Sequence, residues 1–99
     1  LIKVHFFANQ VGQTFQANVT HVESNGVRIN ISKYGIEWFL PLESITNDYY
    51  IFDETSLTLQ GRHKKNILQV GQIMEILLLN ADSINRTLEF KIEKWLSRN

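Results

Sequence analysis

Between residues 13 and 32 the chain alternates apolar and polar residues on both sides of a Ser24-Asn25-Gly26 turn. Phe15, Ala17, Val19 and His21 fall on one face of the first segment, with Gln16, Asn18 and Thr20 on the other. In the second, Val27, Ile29 and Ile31 alternate with Arg28, Asn30 and Ser32. A two-residue period marks a half-buried strand, and Asn and Gly tolerate the positive φ that tight hairpin loops require. The expectation is a β-hairpin with one face on a core and the other toward solvent or ligand.

The remaining chain reads in the same register. Tyr34-Gly35 turns into a third strand, Ile36 to Leu40, which Pro41 ends because it has no N–H for a ladder. A short helical turn is expected at Leu42 to Ile45. The near-continuous apolar run Ile73 to Asn80 predicts a fourth strand buried on both faces or lying at a barrel seam. After the loop Ala81 to Asn85, Leu88, Phe90 and Ile92 alternate with Thr87, Glu89 and Lys91 in a fifth strand, and Trp95-Leu96 would cap the open end of the core. Residues 47–70 interrupt this series with an aromatic and acidic insertion, expected as an irregular hairpin anchored by Tyr49, Tyr50, Phe52, Leu57 and Leu59. Five antiparallel strands with a long connection between the third and fourth match an all-β, five-stranded OB-fold barrel, a fold that binds oligonucleotides across strands two and three. By pattern alone an SH3-like barrel fits nearly as well.

Ninety-nine residues can support one core, so residues 1–99 read as a single domain. The chain has no cysteine, which excludes disulfides and thiolate metal sites and fits a reducing, cytoplasmic compartment. The three N-x-S/T triplets at Asn18, Asn30 and Asn85 are read as chance. The apolar run Leu1 to Phe7 is too short for a signal peptide, and no stretch approaches the ~20 apolar residues of a membrane span. The missing initiator Met suggests a fragment of a larger protein. With zero net charge, any affinity for a polyanion has to come from a local patch and should be weak on its own. His5, His21 and His63 lack ligand spacing, Asp48, Asp53 and Glu54 lack the spacing of a Ca²⁺ loop, and no nucleophile–base pair or glycine-rich phosphate loop is present. No catalytic residue, metal ligand or cofactor site is expected within the chain.

The succession Val11-Gly12-Gln13-Thr14-Phe15, Val19, Val22, Asn25-Gly26-Val27, Gly35-Ile36-Glu37, Leu42-Glu43-Ser44-Ile45, Val70-Gly71-Gln72, Asp82 and Leu88-Glu89-Phe90 resembles the S1 RNA-binding domain. The insertion Asp48-Tyr49-Tyr50-x-Phe52-Asp53-Glu54, with Leu59 and Gly61 after it, is similar to the one in the C-terminal S1 domain of the ribonuclease R family. That resemblance implies a parent enzyme of the RNase II type that degrades RNA from its 3′ end with Mg²⁺ held by aspartates of another domain. It also implies single-stranded RNA as partner, and catalytic and cold-shock domains elsewhere in the parent. Where the family usually carries two aromatics on strand two and a His at the end of strand three, this chain has Asn25, Arg28 and Pro41, whereas Asp82 and Arg86 fit.

Single-stranded RNA needs cations for phosphates and flat groups for bases. Arg28 can supply both, since its fork matches phosphate oxygens and its plane stacks on bases; a solvated Arg on an outward strand face is the competing account. Asp82 and Arg86 would grip a 2′-hydroxyl and a phosphate across the last turn, or simply form a surface ion pair. Trp38 would restore a stacking surface if its indole is exposed, and would be partly core otherwise. Asn25 and Tyr34 are further candidates at the two ends of strand two. Lys64 and Lys65 belong to the basic run Arg62-His63-Lys64-Lys65, which would attract phosphates or be merely solvated. The competing function is a protein-interaction module with a degenerate RNA face, docking to an RNA helicase or the ribosome through an exposed patch of Tyr49, Tyr50 and Phe52.

Overall fold

The computed structural model describes residues 2–98; Leu1 and Asn99 lie outside the described residues. The elements are α1 (Ile2–Phe7), β1 (Thr14–Glu23), β2 (Gly26–Ile31), β3 (Ile36–Pro41), a 3₁₀ turn (Leu42–Ser44), β4 (Tyr50–Asp53), β5 (Thr58–Gly61), β6 (Ile67–Leu68), β7 (Gln72–Asp82) and β8 (Thr87–Arg98). One sheet has the order β3-β2-β1-β7-β8 and a second the order β4-β5-β6, with every pair antiparallel. With the insertion set aside, the five long strands follow the order of an OB-fold barrel. No helix among the described residues is long and apolar enough to cross a membrane.

The alternation in the hairpin is realised. Phe15, Ala17 and Val19 of β1 and Val27, Ile29 and Ile31 of β2 are buried, together with Met74, Ile76 and Leu78 of β7 and Leu88 and Phe90 of β8. His21 departs from the expected face. A register irregularity between Val19 and His21 inserts a bulge, so that Val22, opposite buried Val27, takes the inward place and His21 is exposed. Of the two expectations for β7, burial on both faces or a place at a barrel seam, the first is corrected, since Leu79 is exposed and Ile73 and Leu77 are only partly buried. Successive side chains of a strand point to opposite faces, and only the face carrying Met74, Ile76 and Leu78 meets the core.

Two plugs close the ends of the barrel, and the sequence reading anticipated neither in full. At the first, α1 places Val4 and Phe7, one helical turn apart, against the core. Phe7 is 0% exposed and meets the rings of Phe15 and Phe90 edge-on, at centroid distances of 5.4 and 6.1 Å. A six-residue helix is not stable by itself, so these contacts are what hold it. At the other end lies the insertion, which is a three-stranded sheet and not an irregular hairpin. Tyr50, Leu59 and Leu68 are buried, Phe52 is partly so, and Tyr50 stacks on Trp95 of β8 at 6.4 Å. Tyr49 and Leu57, expected as anchors, are instead 64% and 58% exposed. Adjacent residues of an extended strand face opposite ways, so Tyr49 and Tyr50 could not both point inward. Leu96 likewise remains exposed while Trp95 packs inward.

Asp48 fastens the insertion. Its carboxylate accepts the backbone N–H groups of Tyr49 (2.6 Å), Lys64 (2.7 Å) and His63 (3.1 Å). A Cβ on Gly61 would stand 2.5 Å from this carboxylate, so only glycine permits the approach. Partial desolvation pushes the Asp48 pKa up, but the combined backbone donors prevail and hold it below the ordinary value.

Two outcomes follow from these plugs. Phe7→Ala should lower stability by about 3–5 kcal/mol, a fall in melting temperature of about 12–40 °C, read by calorimetry. Gly61→Ala should displace the Asp48 clamp and shift the amide resonances of His63 and Lys64 while leaving those of β1 and β2 in place.

Candidate nucleic-acid interface

The pairing of β2 with β3 fixes which side chains reach the outer face. Ile36, Trp38 and Leu40 sit opposite Ile31, Ile29 and Val27 on the inner face, which leaves Glu37, Phe39 and Pro41 outward, and Phe39 directly opposite Arg28. The Arg28 guanidinium carbon lies 6.0 Å from the Phe39 ring centroid, and its Nε–H donates to Glu23 Oε2 at 3.0 Å. Both partners of that ion pair are well exposed, so it contributes at most ~1 kcal/mol and serves mainly to orient the group. Among the described residues the Nε edge of the guanidinium is the one held, by Glu23. Gly26 makes this arrangement possible, because a Cβ there would collide with the Leu40 carbonyl oxygen and lie 2.7 Å from the Phe39 ring.

Across the open edge of β3 stands the start of β8. Arg28, Glu37, Trp38, Phe39, Thr87 and Leu88 line a groove of about 500 Å³ between the two. Trp38 is partly buried against the core from the inner face, so it forms the groove's rim and not an outward platform. Arg86 immediately precedes Thr87 in the β7–β8 turn and adopts a left-handed backbone with φ 58°. Asp82 caps that same turn. It accepts the N–H of Ile84 at 3.0 Å, and from Asn85 both the backbone N–H at 3.1 Å and the side-chain amide at 2.8 Å. The Asn85 backbone and side-chain donors hold its carboxyl below the ordinary range against a smaller opposing desolvation.

The other sequence-derived candidates lie elsewhere. Asn25, at the β1–β2 tip, accepts the Leu42 N–H on its carbonyl at 2.8 Å and borders a neighbouring concavity of about 540 Å³ that also carries Leu42, Glu43 and Tyr49. Tyr34 belongs to the aromatic cluster beneath α1, edge-on to Phe6 at 4.8 Å, with its hydroxyl donating to Gln10 Oε1 at 3.3 Å. Lys64 and Lys65 occupy the β5–β6 loop, and Lys65 lines a hollow shared with Trp95. Trp95 stands eight residues along β8 from Thr87, roughly 26 Å at a strand's rise. The fold therefore gathers Arg28, Trp38 and the Arg86 turn, and leaves Tyr34, Lys64 and Lys65 outside that group. Phe39 is the residue missed by sequence reasoning; its cross-strand register with Arg28 is the signal that finds it. Among the described residues no cluster of three or more His, Asp or Glu is arranged to hold a metal ion.

Strand order and groove together define a small barrel of the oligonucleotide-binding class. Residues 9–93 match the model of the S1 RNA binding domain, and the chain belongs to that family. Its relatives include ribonuclease R of Thermotoga maritima, 27% identical over 88 residues, and of Escherichia coli, 24% identical over 91 residues. These alignments take in 89% and 92% of this chain but only 12% and 11% of the relatives, so the chain spans roughly an eighth of their length. Solved structures of Mycoplasma genitalium RNase R, the apo form and one in complex with ribose methylated single-stranded RNA, superpose with a TM-score of 0.79 at 20% identity. Each covers 92% of this chain and 14% of that one, and the likeness is one of fold.

Because the Asp82 carboxyl titrates below its unfolded value, its contribution is complete above about pH 3.9 and is lost as pH falls through the lower, folded value. A carboxyl-carbon NMR titration should give Asp82 a midpoint below that of free aspartate, with the Ile84 and Asn85 amides moving in step. Asp82→Asn should abolish that response.

Proposed function

We propose that this chain is the RNA-holding domain of a longer 3′-to-5′ exoribonuclease similar to ribonuclease R, gripping single-stranded RNA and guiding it toward a catalytic domain elsewhere in the parent. The observation that carries this reading is the Arg28–Phe39 pair on the outer face of β2 and β3, opening onto the groove beside Thr87 in a chain of the S1 family. On this reading residues 1–99 form one S1-type domain with an insertion at about 47–70. Its neighbours in the parent are catalytic and cold-shock domains, Mg²⁺ serves the catalytic domain, and the setting is the cytoplasm. The M. genitalium enzyme crystallised with single-stranded RNA supports the choice of ligand.

The chemistry is divided between two kinds of contact. The guanidinium of Arg28 meets a phosphate, and the ring face of Phe39, with Trp38 at the rim, receives a base. Arg86 adds a second cation from the turn. With two phosphate contacts and zero net charge, binding by the isolated domain is modest and salt-sensitive. The protein-docking alternative, directed at a helicase or the ribosome, requires Tyr49, Tyr50 and Phe52 to form one exposed patch. Tyr50 is buried and Phe52 partly buried, so these three do not form one exposed patch; Tyr49 shares its exposed face with Ile51 and Ile67 instead.

Titration with an oligoribonucleotide at low salt should shift the amides of Arg28, Phe39, Thr87 and Leu88. Phe39→Ala should weaken binding by about 1–3 kcal/mol. Arg28→Ala should weaken it and reduce the slope of log K against log salt by about 0.7. Shifts confined to the exposed face of β1 and β7, or none at all, would overturn the assignment.

A further inference from the structure

The insertion repeats, on its own surface, the arrangement found on β2 and β3. Beyond the paired residues Tyr50 and Gly61, the ladder between β4 and β5 continues through the Arg62 N–H, which donates to the Tyr49 carbonyl at 2.8 Å. Tyr49 and Arg62 are therefore cross-strand neighbours, and the guanidinium carbon lies 6.0 Å from the tyrosine ring, the same separation as between Arg28 and Phe39. The ring is 64% exposed, and the sheet face it shares also shows Ile51 and Ile67, in register through Gln60. Nothing about folding requires a solvent-facing tyrosine here, because Tyr50, Leu59 and Leu68 already anchor the sheet.

Two abutting concavities join these pairs. The first, of about 500 Å³, holds Arg28 and Phe39 and extends to Pro41; the second, of about 540 Å³, begins at Asn25 and Leu42 and ends at Tyr49. Pro41 pairs with Gly26, and the Leu42 N–H donates to Asn25, so the two hollows share the hairpin tip as their common wall. Leu42 and Ile45 give the second hollow an apolar side suited to bases. Of its two carboxylates, Asp48 is engaged by three backbone N–H groups, which leaves Glu43 as the exposed negative charge.

We propose that Tyr49 and Arg62 form a second nucleotide-binding station, and that a single RNA strand runs from the Arg28–Phe39 groove over the β1–β2 tip to the insertion. This rests on the function proposed above and extends it, since it makes the insertion a lengthening of the RNA track. Tyr49 stacks a base, Arg62 meets the adjoining phosphate, and Lys64 and Lys65 on the following loop supply the cationic surroundings.

The test compares a short oligoribonucleotide of about four nucleotides with one of about sixteen, the range one such barrel accommodates, each titrated into the 99-residue chain by fluorescence anisotropy. Tyr49→Ala and Arg62→Gln should each weaken the long strand by about five- to a hundredfold and leave the short one unchanged, with circular dichroism confirming the fold. Glu43→Lys should tighten the long strand alone. Equal affinities of variant and parent chains for the long strand, while Phe39→Ala still weakens both, would overturn the second station and leave the first intact. Loss of neither on Phe39→Ala would instead remove the reading on which it rests.

Discussion

The order β3-β2-β1-β7-β8 leaves β3 and β8 as the two edges of one sheet, and a barrel this small can cover its core only if those edges meet. They do so through side chains without a shared ladder. Trp38 on β3 and Leu88 on β8 both pack on the core while lining the same groove, so the seam that closes the barrel is also a surface cleft. The position of the candidate RNA face follows from this, because a hydrogen-bonded seam would have brought the strands to about 4.8 Å and filled the space. The ends of the barrel then need plugs of their own, supplied by Phe7 at one and by the Tyr50–Trp95 stack with its small sheet at the other.

Much of this was legible before any coordinates. The hairpin of β1 and β2 declares itself because a two-residue period and an Asn-Gly turn agree on one answer, and a single slip in register would have exposed Val27, Ile29 and Ile31 together. The bulge near His21 was not legible, since one extra residue leaves no mark in composition. Helix α1 escaped for a different reason. Six residues are too few to show a helical period, and its stability comes from rings contributed by β1 and β8, distant in the chain.

The candidate site divides along the same line. Arg28 could be read as outward from its own strand, whereas choosing between Trp38 and Phe39 required the pairing partner, which depends on the length of the turn between β2 and β3. Local sequence names two adjacent aromatics; only the ladder says which faces solvent. The Tyr49–Tyr50 pair poses the same question, and the Arg62-to-Tyr49 hydrogen bond answers it.

Arg86 holds a backbone shape that suits Asn or Gly better than a long side chain, at a local cost of about 1–2 kcal/mol. Glycine at this corner would adopt the same backbone shape without the Cβ penalty and favour thermal stability. The same exchange would erase a positive charge next to Thr87, which lines the cleft, so under the RNA-holding role proposed above robustness and ligand grip pull in opposite directions at this position.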